Sequence, residues 1–188
     1  MKTDFNTALE LVKNKIKECD NSKPFVVVID GMAASGKTTF ANMLGTAVVH
    51  TDDFYRPRNS NGALSLSQYS GNFDIERFKS QVVRNLINGE DFEYGVFDCK
   101  EQRISETVKV KCQGAIIVEG AYSLHSDLGE YADLKLFFEI SGEEQIARII
   151  KRNGTDAQKS FSEIWIPAEQ RYFEYYSIKD KADITVII

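Results

Sequence analysis

Apolar residues along this chain recur with two spacings that take turns. Phe5, Ala8, Leu9, Val12 and Ile16 fall three or four apart, which predicts an amphipathic helix near the N-terminus. Pro24 follows a polar break and opens a first strand, Phe25 to Asp30, whose run "FVVVI" is apolar on both faces. A helix is expected from Lys37 to about Leu44, and "AVVH" (47–50) reads as a short second strand. Ile75 to Asn88 has helical spacing and stops at Gly89. "FEYGVFD" and "ETVKVK" alternate and predict a small β-arm. "AIIVEG" (115–120) and "LKLFFEI" (134–140) are short apolar runs of the kind found in buried parallel strands. Helices are expected over Glu143 to Asn153 and Phe161 to Tyr176, and "DITVII" closes the chain as a last strand. Strands alternating with helices predict an α/β fold with three layers: a mostly parallel five-stranded sheet between helices. No internal repeat or second domain is visible, so residues 1–188 read as one domain. Tyr55 to Asn72 is polar and rich in Ser, Asn and Gly, a length of loop that compact domains reserve for function or motion.

Composition narrows the function classes. The 188 residues are 43% hydrophobic, too apolar for a disordered chain, and the net charge of −5 argues against a nucleic-acid partner. No apolar run approaches the roughly 20 residues of a membrane span, and the charged N-terminus lacks a signal-peptide core. Cys19, Cys99 and Cys112 are scattered and odd in number, which fits reduced thiols in the cytoplasm. His50 and His125 have no metal-ligand spacing.

Chemistry enters at "GMAASGKT" (31–38), which follows the first strand and matches G-x-x-x-x-G-K-[ST]. Glycines let the backbone turn tightly so that successive N–H groups surround a phosphate. The following helix adds its positive N-terminal end. Gly31, Ala33, Ala34, Ser35, Gly36, Lys37, Thr38 and Thr39 are therefore the expected nucleotide contacts, with Lys37 on the outer phosphates and the Thr38 hydroxyl on Mg²⁺. A guanine-nucleotide switch would want N-K-x-D after a strand; the nearest string, "DKAD" (180–183), lacks the Asn and precedes a strand. A small-molecule acceptor is the better expectation, with a non-catalytic switch as the outside alternative. Asp52 and Asp53, in "HTDDFYRPR", follow the second strand, at the edge of an open α/β sheet where ligands bind. One of these carboxylates suits a hydroxyl's proton or Mg²⁺, Phe54 and Tyr55 a ring, and Arg56 a phosphate or polar group. The same string reads equally well as an acidic cap followed by core aromatics.

Together these motifs resemble the uridine kinase family of P-loop small-molecule kinases, within the phosphoribulokinase–uridine kinase group. That family pairs a GxxxSGKT/S loop with (Q/D)DxFY(R) at similar separation. The resemblance extends through "GNFD" (71–74), "VFDCKEQRISETVKV", "IIVEG", "EEQIARIIKRN" and "KADITVII", most of the chain from about Pro24 onward. It implies the P-loop NTPase fold with a helical lid at about 143–160 and ATP·Mg²⁺ on the loop. It also implies transfer to a hydroxyl, most naturally the 5′-hydroxyl of a nucleoside. By the same resemblance Asp52 is the catalytic base and a metal neighbour, Tyr55 a pocket aromatic, and Asp74 a partner of ribose hydroxyls. Phe97 stands for a base-contacting Tyr, Arg103 belongs to the substrate side of the arm, and Glu119 lies near Mg²⁺. Arg148 and Arg152 match lid arginines, although four residues apart on one helix they also suit a solvated basic face. Three departures stand out. The arm has Glu101 and Gln102 near the place of a base-reading histidine, and Gln145 replaces the first lid arginine. "FSEIWIPAEQRYFEYY" (161–176) is closer to the nicotinamide riboside kinase pattern. Nicotinamide riboside, a sugar, a sugar phosphate or a pantothenate-like acid are the alternative acceptors, and homo-oligomerisation is left open.

Overall fold

The computed structural model describes residues 1–20, 23–64 and 66–188. The strands are β1 (Lys2–Asp4), β2 (Phe25–Gly31), β3 (Ala47–His50), β4 (Phe92–Asp98), β5 (Arg103–Val110), β6 (Ala115–Glu119), β7 (Leu134–Glu139) and β8 (Ile184–Ile187). Six of them form one sheet in the order β1-β8-β7-β2-β6-β3, and every neighbouring pair is parallel. β4 and β5 pair antiparallel as the expected arm.

The expected five strands are thus six. The addition is β1, where Lys2, Thr3 and Asp4 lie opposite Thr185, Val186 and Ile187 at the sheet's edge. Three residues are too few to show a period, and their pairing depends on β8, which lies at the far end of the chain. Asp4 then caps α1 (Phe5–Glu18) by accepting the amides of Asn6 and Thr7.

Strand parity sorts the core into two layers, because successive side chains point to opposite faces. Val27, Ile29, Ile117, Leu136 and Phe138 pack against Ala8, Leu9 and Val12 of α1 and Phe40 and Ala41 of α2 (Lys37–Met43). Val26, Val28, Ile116, Val118 and Phe137 face the other way. They meet the helical segment of residues 75–88, the arm, and Tyr172 of α7 (Ile166–Tyr175). That 75–88 segment comprises α3 (Ile75–Phe78), a π-helical turn (Lys79–Val83) and α4 (Arg84–Asn88), and it ends at Gly89 in a left-handed cap as expected.

The stretch expected as a lid comprises α5 (Gly142–Asn153) and α6 (Thr155–Ser160), separated by Gly154 at φ 83°. The expected helix at Phe161 begins earlier than its pattern suggests. α6 runs through a π-helical turn (Phe161–Trp165) into α7 without a break. Then α8 (Ile178–Lys181) leads to β8. Among the described residues no helix is long and apolar enough to cross a membrane.

Candidate active site

Register brings the site together. Ile29 of β2 and His50 of β3 both lie opposite Glu119, the last residue of β6. The loop after β2 and the turn after β3 therefore leave the sheet on either side of one carboxylate. Gly31 makes the first bend possible. Its φ is +133°, and a Cβ there would sit 2.3 Å from the Phe138 carbonyl oxygen of β7. The second bend is a short 3₁₀ turn, Thr51–Phe54. It turns Asp52 toward solvent, where it accepts the Tyr55 hydroxyl at 2.7 Å. Asp53 turns inward and accepts the Tyr94 hydroxyl at 3.2 Å. Burial raises the Asp53 carboxyl above its ordinary value, against the pull of His50.

One cleft of about 930 Å³ unites most of the expected residues. Its walls include Ala33, Ala34, Gly36, Lys37, Thr38 and Thr39 of the loop, with Asp52, Tyr55, Glu119, Arg148 and Arg152. Tyr55 and Trp165 face each other across it, ring centroids 6.4 Å apart and planes inclined by 21°. Arg148 Nε donates to Glu144 at 2.8 Å and Arg152 Nε to the Asn153 side chain at 2.7 Å, so both arginines rest on their own helix at the rim.

Four expected substrate residues stand elsewhere. Asp74 caps α3, accepting the Arg77 amide at 3.1 Å, and lines a smaller cavity with Arg56 and Tyr69. Arg56 donates to the Gly71 carbonyl at 3.1 Å. Phe97 is buried in the arm, and Arg103 is exposed, 3.7 Å from Glu101. The physical reason is local satisfaction: a carboxylate at a helix start takes the free amides there, and an aromatic on the inner face of a hairpin packs. At the arm's tip Cys99 reaches the cleft instead.

The loop fits phosphate. The Ser35 hydroxyl is fully buried and unpartnered, and Lys37 Nζ donates to the carbonyls of Gly31 and Met32, each at 2.8 Å. Thr38 Oγ1 donates to Glu119 at 2.9 Å, and His50 Nδ1 meets the same oxygen at 2.6 Å. This bond raises the His50 imidazole above its usual value. Among the described residues no three His, Cys, Asp or Glu side chains gather as a preformed metal site. A hard cation held partly by nucleotide phosphates needs only one or two protein oxygens, and Thr38 and Glu119 offer them.

No family model matches the chain. It is 28% identical over 159 residues to a uridine kinase of Ureaplasma parvum, covering 77% of this chain and 76% of that protein. A uridine kinase of Mycoplasma pneumoniae is 28% identical over 188 residues, covering 89% and 86%. A solved Bacillus stearothermophilus protein described as a "possible uridine kinase" shares the fold with a TM-score of 0.72 at 21% identity, covering 96% and 98%. The chain is thus similar to uridine kinases in sequence and shares the fold of a possible uridine kinase.

In this chain several site residues carry no sequence signal. Glu169, within the expected aromatic-rich helix, sends its carboxylate to the phosphate loop and accepts the Ala33 amide at 3.0 Å. Burial raises its carboxyl to about 7, with Lys37 pulling the other way. Gln145, noticed only as a missing arginine, donates to the Ala33 carbonyl at 3.1 Å. Asp30 anchors the base of the loop: it is fully buried and accepts from Tyr172 (2.6 Å), Leu124 (2.9 Å) and the Gly31 amide (2.7 Å). Burial raises the Asp30 carboxyl too. His50, set aside as a metal ligand, serves as a partner for the buried Glu119. The one available clue was general: a carboxylate ending a buried strand needs a partner.

Proposed function

We propose that this chain is one ATP-dependent kinase domain, working in the cytoplasm, that transfers a phosphoryl group to the 5′-hydroxyl of a nucleoside. The observation that carries this reading is the convergence of the phosphate loop, Asp52, Glu119 and two arginines on one cleft. In this reading the amides from Gly31 to Thr39 hold the phosphates and Lys37 turns from its carbonyls to the outer phosphates. A Mg²⁺ ion, bound beside Thr38, Glu119 and Asp52, would supply further neutralisation of phosphate charge. Asp52 accepts the proton of the attacking hydroxyl. Arg148 and Arg152 leave their partners on α5 for the transferred group, where most phosphoryl-transfer catalysis lies. The α5–α6 lid closes about Gly154 and excludes water.

The near-parallel Tyr55 and Trp165 rings favour an acceptor that carries a flat ring. A ring between two aromatic walls needs about 7 Å, and the walls stand 6.4 Å apart at their centroids, so they must part slightly to admit one. The arm offers few donors to a pyrimidine edge. Gln102 is engaged with the Arg58 amide and the Cys99 carbonyl, and Phe97 has no polar group.

The test is ADP release with ATP·Mg²⁺ against nucleosides, nicotinamide riboside, sugars, sugar phosphates and pantothenate. Nucleosides should stimulate turnover, with uridine and cytidine less than about a thousandfold ahead of other ribosides, since a missing hydrogen-bond partner weakens discrimination. Turnover with a sugar and with no nucleoside would overturn the acceptor, and turnover without any acceptor would overturn the transfer.

A further inference from the structure

Ala33 of the loop is held through both its backbone groups. Its N–H goes to Glu169 Oε2 of α7 at 3.0 Å, and its carbonyl to Gln145 Nε2 of α5 at 3.1 Å. The next residue, Ala34, is left-handed at φ 59°, a conformation that a non-glycine keeps only where its surroundings enforce it. A carboxylate thus stands where the loop presents an amide for phosphate. Glu169 is only 8% exposed, so it has little solvent to retreat to.

The inference rests on the loop being the nucleotide site. An ionised carboxylate and a terminal phosphate cannot share one amide without strong repulsion in a buried place. A carboxylic acid is different: it has one O–H to give. We propose that Glu169 takes up one proton from solvent when nucleotide binds, gives up the Ala33 amide, and donates its O–H to a terminal phosphate oxygen. In the structure it is the acceptor of the loop; with nucleotide bound it becomes a donor to the ligand. The proton balance is one proton gained per nucleotide bound by a protein molecule whose Glu169 was ionised.

The surrounding charges support the switch. Asp30 of β2 and Asp52 of the turn after β3 both favour the neutral acid, as does burial, while Lys37 of α2 opposes it. Tyr55 and Tyr122 share the cleft, and Arg148 and Arg152 stand at its rim on α5. Arg171, on the same helix as Glu169, acts on Tyr122. With the carboxyl raised to about 7, the acid is accessible near neutral pH. Lys37, when it turns toward phosphate, moves from the loop carbonyls to the ligand.

The experiment is calorimetric titration of the full-length protein with Mg·ATP from pH 6.5 to 8.5, each pH in two buffers of different ionisation enthalpy. Wild type should take up close to one proton above pH 7.5, and its affinity should fall about tenfold for each pH unit above 7. Glu169→Gln carries an amide N–H in place of the acid O–H. It should bind without proton uptake, and its affinity relative to wild type should rise about tenfold per unit over the same range. The ratio between the two proteins cancels titration of the nucleotide itself. Glu169→Ala, which has neither charge nor donor, should be pH-independent but weaker than Glu169→Gln. Wild type binding with no proton uptake would overturn the proposal even if neither variant folds. So would a Glu169→Gln protein with the pH profile of wild type. In both cases nucleotide still binds and the function stands. If wild type binds no Mg·ATP at any pH, the nucleotide site and the proposal fall together.

Discussion

Asp52 and Asp53 are adjacent, yet their surroundings differ enough to separate their roles by mutation. Asp52 is exposed to the cleft and its described bond is to the Tyr55 hydroxyl, 2.7 Å away. In Asp52→Asn the amide oxygen still accepts that hydroxyl and can still face Mg²⁺, so shape and the local bond survive while the negative charge and proton acceptance are lost. General-base catalysis contributes about 10²- to 10⁴-fold, or about 3 to 5 kcal/mol of barrier. Turnover should fall by that much, with ATP affinity and melting temperature little changed. Asp53 is half-buried against Tyr94, and Arg77 Nη2 bonds its backbone carbonyl at 2.6 Å. In Asp53→Asn the Tyr94 bond has an acceptor and the backbone bond is untouched. Removing a charge that burial disfavours offsets the lost attraction to His50 and Arg77. Stability should change by less than about 1 kcal/mol, the size of one ordinary hydrogen bond, and turnover much less than in Asp52→Asn. The assay is turnover on the best acceptor at saturating ATP, with nucleotide binding and urea unfolding measured alongside. An active Asp52→Asn with a dead Asp53→Asn would reverse the roles. Near-wild-type turnover in both would make the pair a structural cap and refute the base assignment.

Two further outcomes follow from packing and charge. Gly31→Ala would place a Cβ 2.3 Å from the Phe138 carbonyl oxygen at φ +133°. The chain should lose more than about 4 kcal/mol by urea unfolding, or fail to fold; a loss below about 1 kcal/mol would mean that β7 and the loop are not in this register. Glu169 is raised to about 7 in the folded chain from an ordinary 4.5. The folded state then holds a proton that the unfolded state has released, so its contribution to stability falls as pH rises from 4.5 to about 7. The stability of wild type relative to Glu169→Gln should drop by about 3 kcal/mol across that window, and a constant difference would show that the Glu169 carboxyl is not raised.

What the sequence determined is what neighbours along the chain determine. "FVVVI" could only be buried on both faces, and both faces are covered. The spacing of "GMAASGKT" bends one short stretch of backbone around a phosphate, and the stretch does bend at Gly31 and Gly36. Asp52, Tyr55, Glu119, Arg148 and Arg152 could be singled out because each sits at a motif's own place at a strand end or on a helix, and all five line one cleft. The tertiary structure decided what depends on distance through space. β1 exists because Lys2–Asp4 meet β8. Asp74 had the right type for a ribose but lies at a helix start, where the Arg77 amide claims it. The Ala33 amide meets Glu169 from 136 residues away, and Thr38 meets Glu119 from 81. No period or spacing encodes such pairs. Lone glutamates in a helix look alike in sequence, and only the folded chain buries one of them on a phosphate loop, where desolvation changes its chemistry.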